Sequence, residues 1–271
     1  MGLPHPEAEQ RAKNLRPEAL TDLTASWTPL GPGTVTTSLY GPVTGRITSL
    51  ALDPNDLTGN TLWLGTTGGG VWKSTNAAGS LSSLVFTPLT DTLPVFSASA
   101  WAGALPSLSI GAVAVQPAPN PVVLAGTGDP NDATDSYYGE GILRSADGGQ
   151  TWTLASAAQD STDGYHVFTG LSTAGLAWST VTPSLVVAAM STSGEGTTVG
   201  ALGTGAKPGL YYSNDAGVSW QTAVVTDGAQ VVQTPSSLGT VQVGSPATSV
   251  VWDAQRRMFV AAIQFHGYYG S

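Results

Sequence analysis

Apolar residues in this chain come in short runs broken by Pro, Asn and Gly, and the runs come in pairs. Arg46-Ile-Thr-Ser-Leu-Ala-Leu52 is followed by Thr61-Leu-Trp-Leu-Gly65, and Ile110-Gly-Ala-Val-Ala-Val115 by Val122-Val-Leu-Ala-Gly126. The pair recurs at Leu176 to Thr180 with Leu185 to Ala189, and at Ser249 to Trp252 with Met258 to Ile263. Runs this short, bounded by turn residues, predict strands rather than helices. After each pair comes a copy of one motif: Gly70-Val-Trp-Lys-Ser-Thr-Asn76, Gly141-Ile-Leu-Arg-Ser-Ala-Asp147 and Gly209-Leu-Tyr-Tyr-Ser-Asn-Asp215, with Gly267-Tyr-Tyr-Gly-Ser271 beginning a fourth. Ser74, Ser145, Ser213 and Ser271 thus recur at intervals of about 60 to 70 residues, the self-similarity of a repeat architecture. Downstream, Phe86-Thr-Pro-Leu89, Thr151-Trp-Thr-Leu154 and Ser219-Trp-Gln-Thr-Ala223 each supply a fourth strand.

The expected unit is a four-stranded antiparallel sheet, and the expected fold is all-β, a β-propeller of such blades. Blades are placed at 45–90, 109–155 and 172–224, with an incomplete one at 247–271. Ser26-Trp-Thr-Pro-Leu30 has the pattern of a fourth strand without its first three, whereas the last unit lacks its fourth. Together these make about four blades if the ends pair, which would remove exposed sheet edges. The chain stops at the first residue of a turn motif, so a larger propeller is the expectation. Residues 1–25 read as a polar arm, and helix over Glu7 to Leu23 has no amphipathic support.

Composition narrows the partners. Among 271 residues only 10% are charged, while 34 are Gly and 18 Pro, as many turns between short strands require. The net charge of −9 and nine scattered Lys and Arg leave no basic stripe for nucleic acid or an anionic membrane. No apolar run is long enough to span a bilayer. Cysteine is absent, which excludes disulfides, thiolate metal sites and a cysteine nucleophile. Low charge, abundant Ser and Thr and no Cys fit a bacterial extracellular or periplasmic protein, although Met1 to Ser26 lack the apolar run of a signal peptide.

Two turns carry the most specific pattern: Ser145-Ala-Asp147-Gly-Gly149-Gln-Thr151-Trp152 and Ser213-Asn-Asp215-Ala-Gly217-Val-Ser219-Trp220, both Ser-x-Asp-x-Gly-x-Thr/Ser-Trp, with a degenerate third at Ser74-Thr-Asn76. The Asp carboxylate is placed to accept backbone N–H bonds inside the turn, Gly to supply positive φ, and the Trp to pack beside the next blade. This pattern resembles the Asp-box (BNR) repeat of sialidases, sortilin-type receptors, photosystem assembly factors and xyloglucan-cleaving glycoside hydrolases, over roughly Trp27 to the end. The stretches Trp27-Thr-Pro-Leu-Gly-Pro, Gly45-Arg-Ile-Thr, Gly65-Thr-Thr-Gly-Gly-Gly-Val-Trp-Lys-Ser and Pro88-Leu-Thr-Asp look most like bacterial secreted BNR-repeat proteins labelled glycosyl hydrolases. The resemblance implies that Asp147 and Asp215 are structural, on the face away from any active site. It also implies a catalytic Asp in a Thr-Asp-x-Gly-Gly segment. Here that segment is Thr66-Thr67-Gly-Gly-Gly70, so Thr67 stands where one of two required carboxylates would be. The arginine cluster of a sialidase is not matched, since only Arg46, Arg144, Arg256 and Arg257 lie in the repeats.

Other chemistry is thin. There is no Gly-x-Ser-x-Gly elbow and no His-Glu-x-x-His, and Gly200 to Lys207 misses phosphate-loop spacing by one residue. No cofactor or metal is expected. The acidic stretch Asp129 to Glu140 has oxygen ligands for calcium, but Ala133 breaks the spacing of a calcium-binding loop. In a propeller the second-to-third and fourth-to-first connections share one face, here the long segments Asp91–Leu108, Gly128–Glu140, Ser156–Gly170, Ser191–Pro208 and Thr226–Ser245. Long loops on a rigid scaffold are where binding concentrates. Trp101, Tyr137, Tyr138, Tyr165 and His166 are the candidate contacts for sugar rings or an extended peptide, or else they pin their own loops. Arg46, at the start of an inner strand, is either an anion or hydroxyl contact or a salt bridge to a loop carboxylate. The expected function is an extracellular recognition module. The alternatives are a glycoside hydrolase or lyase with carboxylates drawn from Asp129, Asp132, Asp135, Glu140 and Glu195, and a structural or assembly propeller. Fold alone does not separate them.

Overall fold

The computed structural model describes residues 35–38, 41–43, 45–80, 82–93, 108–131, 136–160, 164–198, 206–235 and 245–264. They lie in the larger of the chain's two compact units, Thr34–Ser271. A short hairpin, β1 (Val35–Thr37) and β2 (Gly41–Val43), precedes three four-stranded antiparallel sheets. The first runs β3 (Ile47–Leu52), β4 (Leu62–Thr66), β5 (Val71–Ser74), β6 (Thr87–Pro88), and the second β7 (Ile110–Val115), β8 (Val123–Thr127), β9 (Ile142–Ser145), β10 (Thr153–Ala155). After the hairpin β11 (Ala157–Gln159) and β12 (Tyr165–Val167) comes the third: β13 (Leu171–Trp178), β14 (Val186–Thr192), β15 (Gly209–Ser213), β16 (Gln221–Thr222). A second hairpin, β17 (Val225–Asp227) and β18 (Gln230–Gln233), leads to the pair β19 (Ala247–Asp253) and β20 (Met258–Ile263). Within each sheet the strands follow chain order, and β3, β7, β13 and β19 pack side by side in sequence, the fan of a β-propeller. The fourth strand expected at 26–30 and the motif at 267–271 lie outside the described residues.

The repeat reaches down to single residues. Each inner pair carries a register shift at its start: Ile47/Ser49, Ile110/Ala112, Thr173/Gly175 and Ala247/Ser249. Such a bulge adds twist and frees backbone at the same end of every blade. At one of these, Gly111, an added Cβ would fall 2.2 Å from the Thr173 carbonyl, so the next blade permits only glycine. The strand β13 starts five residues before the run at Leu176, and Ser172 and Thr173 within that added stretch are buried although polar.

Apolar layers between blades form the core. Trp63, Ile110, Val113, Val115 and Leu143 lie between the first and second sheets, Leu124, Phe168, Trp178, Tyr211 and Trp220 between the second and third, and Ala177, Val187, Ala247 and Val250 between the third and fourth. Burying such side chains contributes about 1.5–3 kcal/mol each. Trp152 meets Trp63 edge to face at 6.5 Å, and a Cβ on Gly217 would lie 2.7 Å from Leu124. The turn tryptophans therefore pack on the preceding blade, not the following one. Cations answer in the opposite direction: Lys73 Nζ donates to the Gly148 carbonyl at 3.1 Å and Arg144 Nε to the Ala216 carbonyl at 2.8 Å, each the turn of the blade after.

The two full turns are nearly superimposable in chemistry. Asp147 Oδ1 accepts from Gln150 N at 3.0 Å and Thr151 N at 2.9 Å, and Ser145 Oγ receives Gly149 N at 2.8 Å. Asp215 Oδ1 accepts from Val218 N at 3.1 Å and Ser219 N at 2.9 Å, and Ser213 Oγ receives Gly217 N at 2.8 Å. Positive φ falls at Gly148 and Gly149 in one and at Ala216 and Gly217 in the other. In the degenerate turn Asn76 Oδ1 accepts from Val85 N at 3.1 Å across a longer loop.

Hydrogen bonds from the Thr151 side chain and backbone hold the Asp147 carboxyl down to about 2, from an ordinary 3.8. A depressed carboxyl contributes stability above its unfolded value and loses it as pH falls through the folded one. Asp147→Ala is therefore expected to lower the melting temperature at pH 6, with the gap to wild type closing between about pH 4 and pH 2 in parallel thermal melts.

Candidate functional site

Groups with chemistry to offer converge where inner strands begin and second strands end. Arg46 precedes β3, Thr67 follows β4, Ser109 precedes β7 and Asp129 follows β8, so ends from two neighbouring blades meet. Arg46 Nε donates to Thr67 Oγ1 at 2.8 Å, and its Nη2 lies 2.5 Å from Asp129 Oδ2. The Asp129 side chain is fully buried and that of Arg46 is 51% exposed. Asp129 Oδ1 also accepts from Asn131 N at 3.0 Å and Asn131 Nδ2 at 2.7 Å. Cation and amide donors together offset the cost of removing this carboxylate from water. Among the described residues Arg46 Nη1 has no partner, which leaves it a donor at the surface.

The β8–β9 connection is stitched to both neighbours. Gly128 N donates to Ser109 O at 2.8 Å, Asp129 N to Tyr137 O at 2.8 Å and Gly139 N to Leu171 O at 2.7 Å. Gly194 N, in the one-turn helix α1 (Gly194–Thr198), donates to Ser136 Oγ at 3.1 Å, and a Cβ on Gly196 would lie 3.0 Å from that of Tyr138. Tyr137 is thus an exposed ring on pinned backbone, while Tyr138 is half-buried. Glu140 closes the loop. It is buried, its Oε2 accepts from Thr169 Oγ1 at 3.0 Å, and burial raises its carboxyl above the ordinary range against the lowering effect of that bond.

Tyr165 and His166 go elsewhere. They belong to the β11–β12 hairpin, which lies along β16: Gln159 N donates to Trp220 O at 2.9 Å and Thr222 N to Asp160 Oδ1 at 2.7 Å. His166 Nε2 sits 2.9 Å from Asp160 Oδ2, both side chains buried, so the histidine fastens the hairpin and Tyr165 stands exposed beside it. The structure thus brings together Arg46, Asp129, Tyr137, Tyr138 and Glu140. Trp101, Asp132 and Asp135 lie outside the described residues, and Glu195 lies on α1. Asn131 and Thr169, which hold Asp129 and Glu140, were not singled out from sequence; Asp129-Pro-Asn131 carries the local signal of an Asx turn. Among the described residues no group of three or more His, Asp or Glu could hold a metal ion, and no helix is long and apolar enough to cross a membrane.

Comparison with known proteins adds context. No family model matches the chain. No curated protein matches it. Among solved structures it is similar to an ancestral GH74 enzyme (TM-score 0.46, 23% identity, 84% of this chain and 22% of that one). It is also similar to the GH74 enzyme of Niastella koreensis (0.42, 17%, 80% and 26%) and to the GH74 xyloglucanase from Xanthomonas campestris (0.45, 17%, 81% and 26%). The chain spans about a quarter of the length of these structures.

Removing Arg46 leaves Asp129 buried without its cation. Arg46→Ala is expected to cost about 1–3 kcal/mol in urea unfolding, less than a fully buried pair because the guanidinium is half in water. Asp129→Asn should abolish most of that penalty in a double-mutant cycle. Glu140 has the opposite sign from Asp147. Its raised carboxyl makes the folded chain hold a proton longer than the unfolded one, so its contribution declines as pH rises above the unfolded value. Glu140→Gln is expected to gain melting temperature relative to wild type as pH rises above the ordinary carboxyl value of 4.5, read in parallel thermal melts.

Proposed function

We propose that the loop face around Arg46 and Tyr137 binds a glycan, and that the chain is a segment of a larger, extracellular glycan-acting protein built on Asp-box blades. The supporting observation is Tyr137. Tyr137 is 46% exposed, yet its carbonyl receives Asp129 N at 2.8 Å and its loop is tied to the preceding blade through Arg46 and to the following one through Leu171. A tyrosine on fixed backbone offers a broad amphipathic surface at small ordering cost, which suits the apolar face of a sugar ring. Arg46 Nη1, which no described residue engages and which is linked to the tyrosine's loop through Asp129, supplies a donor for hydroxyl or carboxylate groups.

Glycoside hydrolysis is the second reading, and Glu140 is the observation that favours it. A carboxyl whose affinity for its proton is raised by burial has the character of a general acid. Its partner would have to be another carboxylate of the loop face, because Asp129 is committed to Arg46 and Asn131 and Thr67 carries no charge.

Isothermal titration against xyloglucan, mixed-linkage glucan and sialylated oligosaccharides, with product analysis of the same mixtures, tests both. Binding weakened about tenfold by Tyr137→Ala, a loss of about 1.4 kcal/mol, is the expected result. Cleavage abolished by Glu140→Gln would establish the hydrolase. Absence of binding to every glycan, with retention of an extended peptide, would overturn the glycan assignment.

A further inference from the structure

Between the first two blades opens a groove of about 400 Å³, lined by Lys73, Thr75, Asn76, Val85, Thr87 and Leu89. Its wall is the face that the first blade turns to the second. Trp63, Lys73 and Thr87 stand opposite one another across β4, β5 and β6, so their side chains share a face, and on that face Trp63 meets Trp152. The turn of the second blade bounds the other side: Lys73 Nζ donates to the Gly148 carbonyl at 3.1 Å, and a Cβ on Gly149 would lie 2.7 Å from Leu89 Cδ1. Both sides of the groove are therefore formed within the chain.

Lys73 brings to this groove a charge that no described acid answers. Its Nζ lies 4.5 Å from the centre of the Trp63 ring and makes one hydrogen bond, to the neutral Gly148 carbonyl. An ammonium has three donors, which leaves two. Among the described residues the ion pairs are those of Arg46, His166 and Arg256, none of them with Lys73. The repeat supplies an internal comparison. Arg144 holds the place of Lys73 in the second blade and reaches the next turn in the same way. Three residues after Arg144 comes the carboxylate of Asp147, whereas three residues after Lys73 comes the amide of Asn76. That stretch of chain spans at most about 10 Å, about one Debye length, so the turn acid lowers the potential at the arginine and nothing equivalent does so at the lysine. The amide has a local reason: Asn76 Nδ2 donates to the Ser83 carbonyl, which a carboxylate could not do, while Oδ1 accepts from Val85 N at 3.1 Å.

We infer that this groove binds a small aliphatic carboxylate, held by the Lys73 ammonium in the role that the turn acid leaves open. Charge-assisted bonds from the two remaining ammonium donors fix the carboxylate. Leu89 and Val85, the latter 61% exposed, offer apolar contact to the carbon chain beside it, and Thr75 and Thr87 line the same groove with hydroxyls. A single cation on a chain of net charge −9 suits a monoanion better than a phosphate dianion. A free acid and the last residue of a peptide present this same chemistry. Lys73 neighbours the turn after β5, whereas Arg46 and Asp129 lie at the opposite strand ends, so the glycan reading can fail without touching this site.

NMR titration of the methyl-labelled chain with isobutyrate, N-acetylvaline and N-acetylvaline amide tests it. The expected result is saturable shifts of the Val85 and Leu89 methyls with the acids, at dissociation constants of about 1–10 mM, and none with the amide. Tighter binding of N-acetylvaline than of isobutyrate assigns the acid to a peptide terminus, and the reverse order to a free acid. Lys73→Gln should weaken binding by about tenfold or more, Lys73→Arg should retain it, and Arg144→Gln, at the same place in the next blade, should leave it unchanged. Thr75→Asp, at an exposed position, should abolish binding by giving the lysine an internal carboxylate, with the methyl spectrum outside the groove unaltered. That second variant separates loss of the site from loss of fold. Absence of saturable shifts with both acids, equal shifts with the amide or with inorganic phosphate, or full affinity in Lys73→Gln would each overturn the assignment.

Discussion

Adjacent inner strands approach so closely that some positions have no room for a side chain, and the architecture depends on that approach. A Cβ on Gly126 would lie 2.3 Å from Thr173, and one on Gly65 would lie 2.7 Å from Ile110, the same place in successive blades. Contact at that range lets Thr48 and Ser49 bond across the gap, with Val113 N reaching Ser49 Oγ at 2.9 Å. A sheet of four short strands cannot bury both faces by itself. Each blade is completed by its neighbours, and stability accumulates interface by interface, as in other repeat proteins.

Much of this was legible in the sequence because the repeat writes the same residues at the same places. The paired runs, the motif from Gly70, Gly141 and Gly209, and the two Ser-x-Asp-x-Gly turns gave the strands and the turn chemistry directly. The hairpins β11–β12 and β17–β18 were not legible. Their strands are three or four residues long and owe their geometry to what they lie against: Gln233, for instance, holds Leu210 N through Oε1 at 3.0 Å and so imitates a strand. The direction of Trp152 and Trp220 was also hidden, since local pattern says that a tryptophan is buried but not on which neighbour. At the site, the pairing of Arg46 with Asp129 was not legible, because the two lie 83 residues apart in the chain.

The loop face is electrostatically quieter than its residues imply. Arg46 and Asp129 largely cancel, Asp160 and His166 are buried together, and burial favours the neutral form of Glu140. Among the described residues, Tyr137 and Arg46 turn an aromatic ring and a guanidinium edge to solvent there, groups that suit shape and hydroxyl recognition.

The latches between blades point one way. Lys73 and Arg144 reach forward to the carbonyls of Gly148 and Ala216, each beside or at a residue of positive φ, while the turn glycines and tryptophans reach back. A blade is therefore specified by its successor as much as by its own sequence. Duplicating one blade within the array would preserve the fit only if the copy were inserted in the same orientation and kept its turn intact, so growth of such a chain by tandem duplication is built in, and growth by inversion is barred.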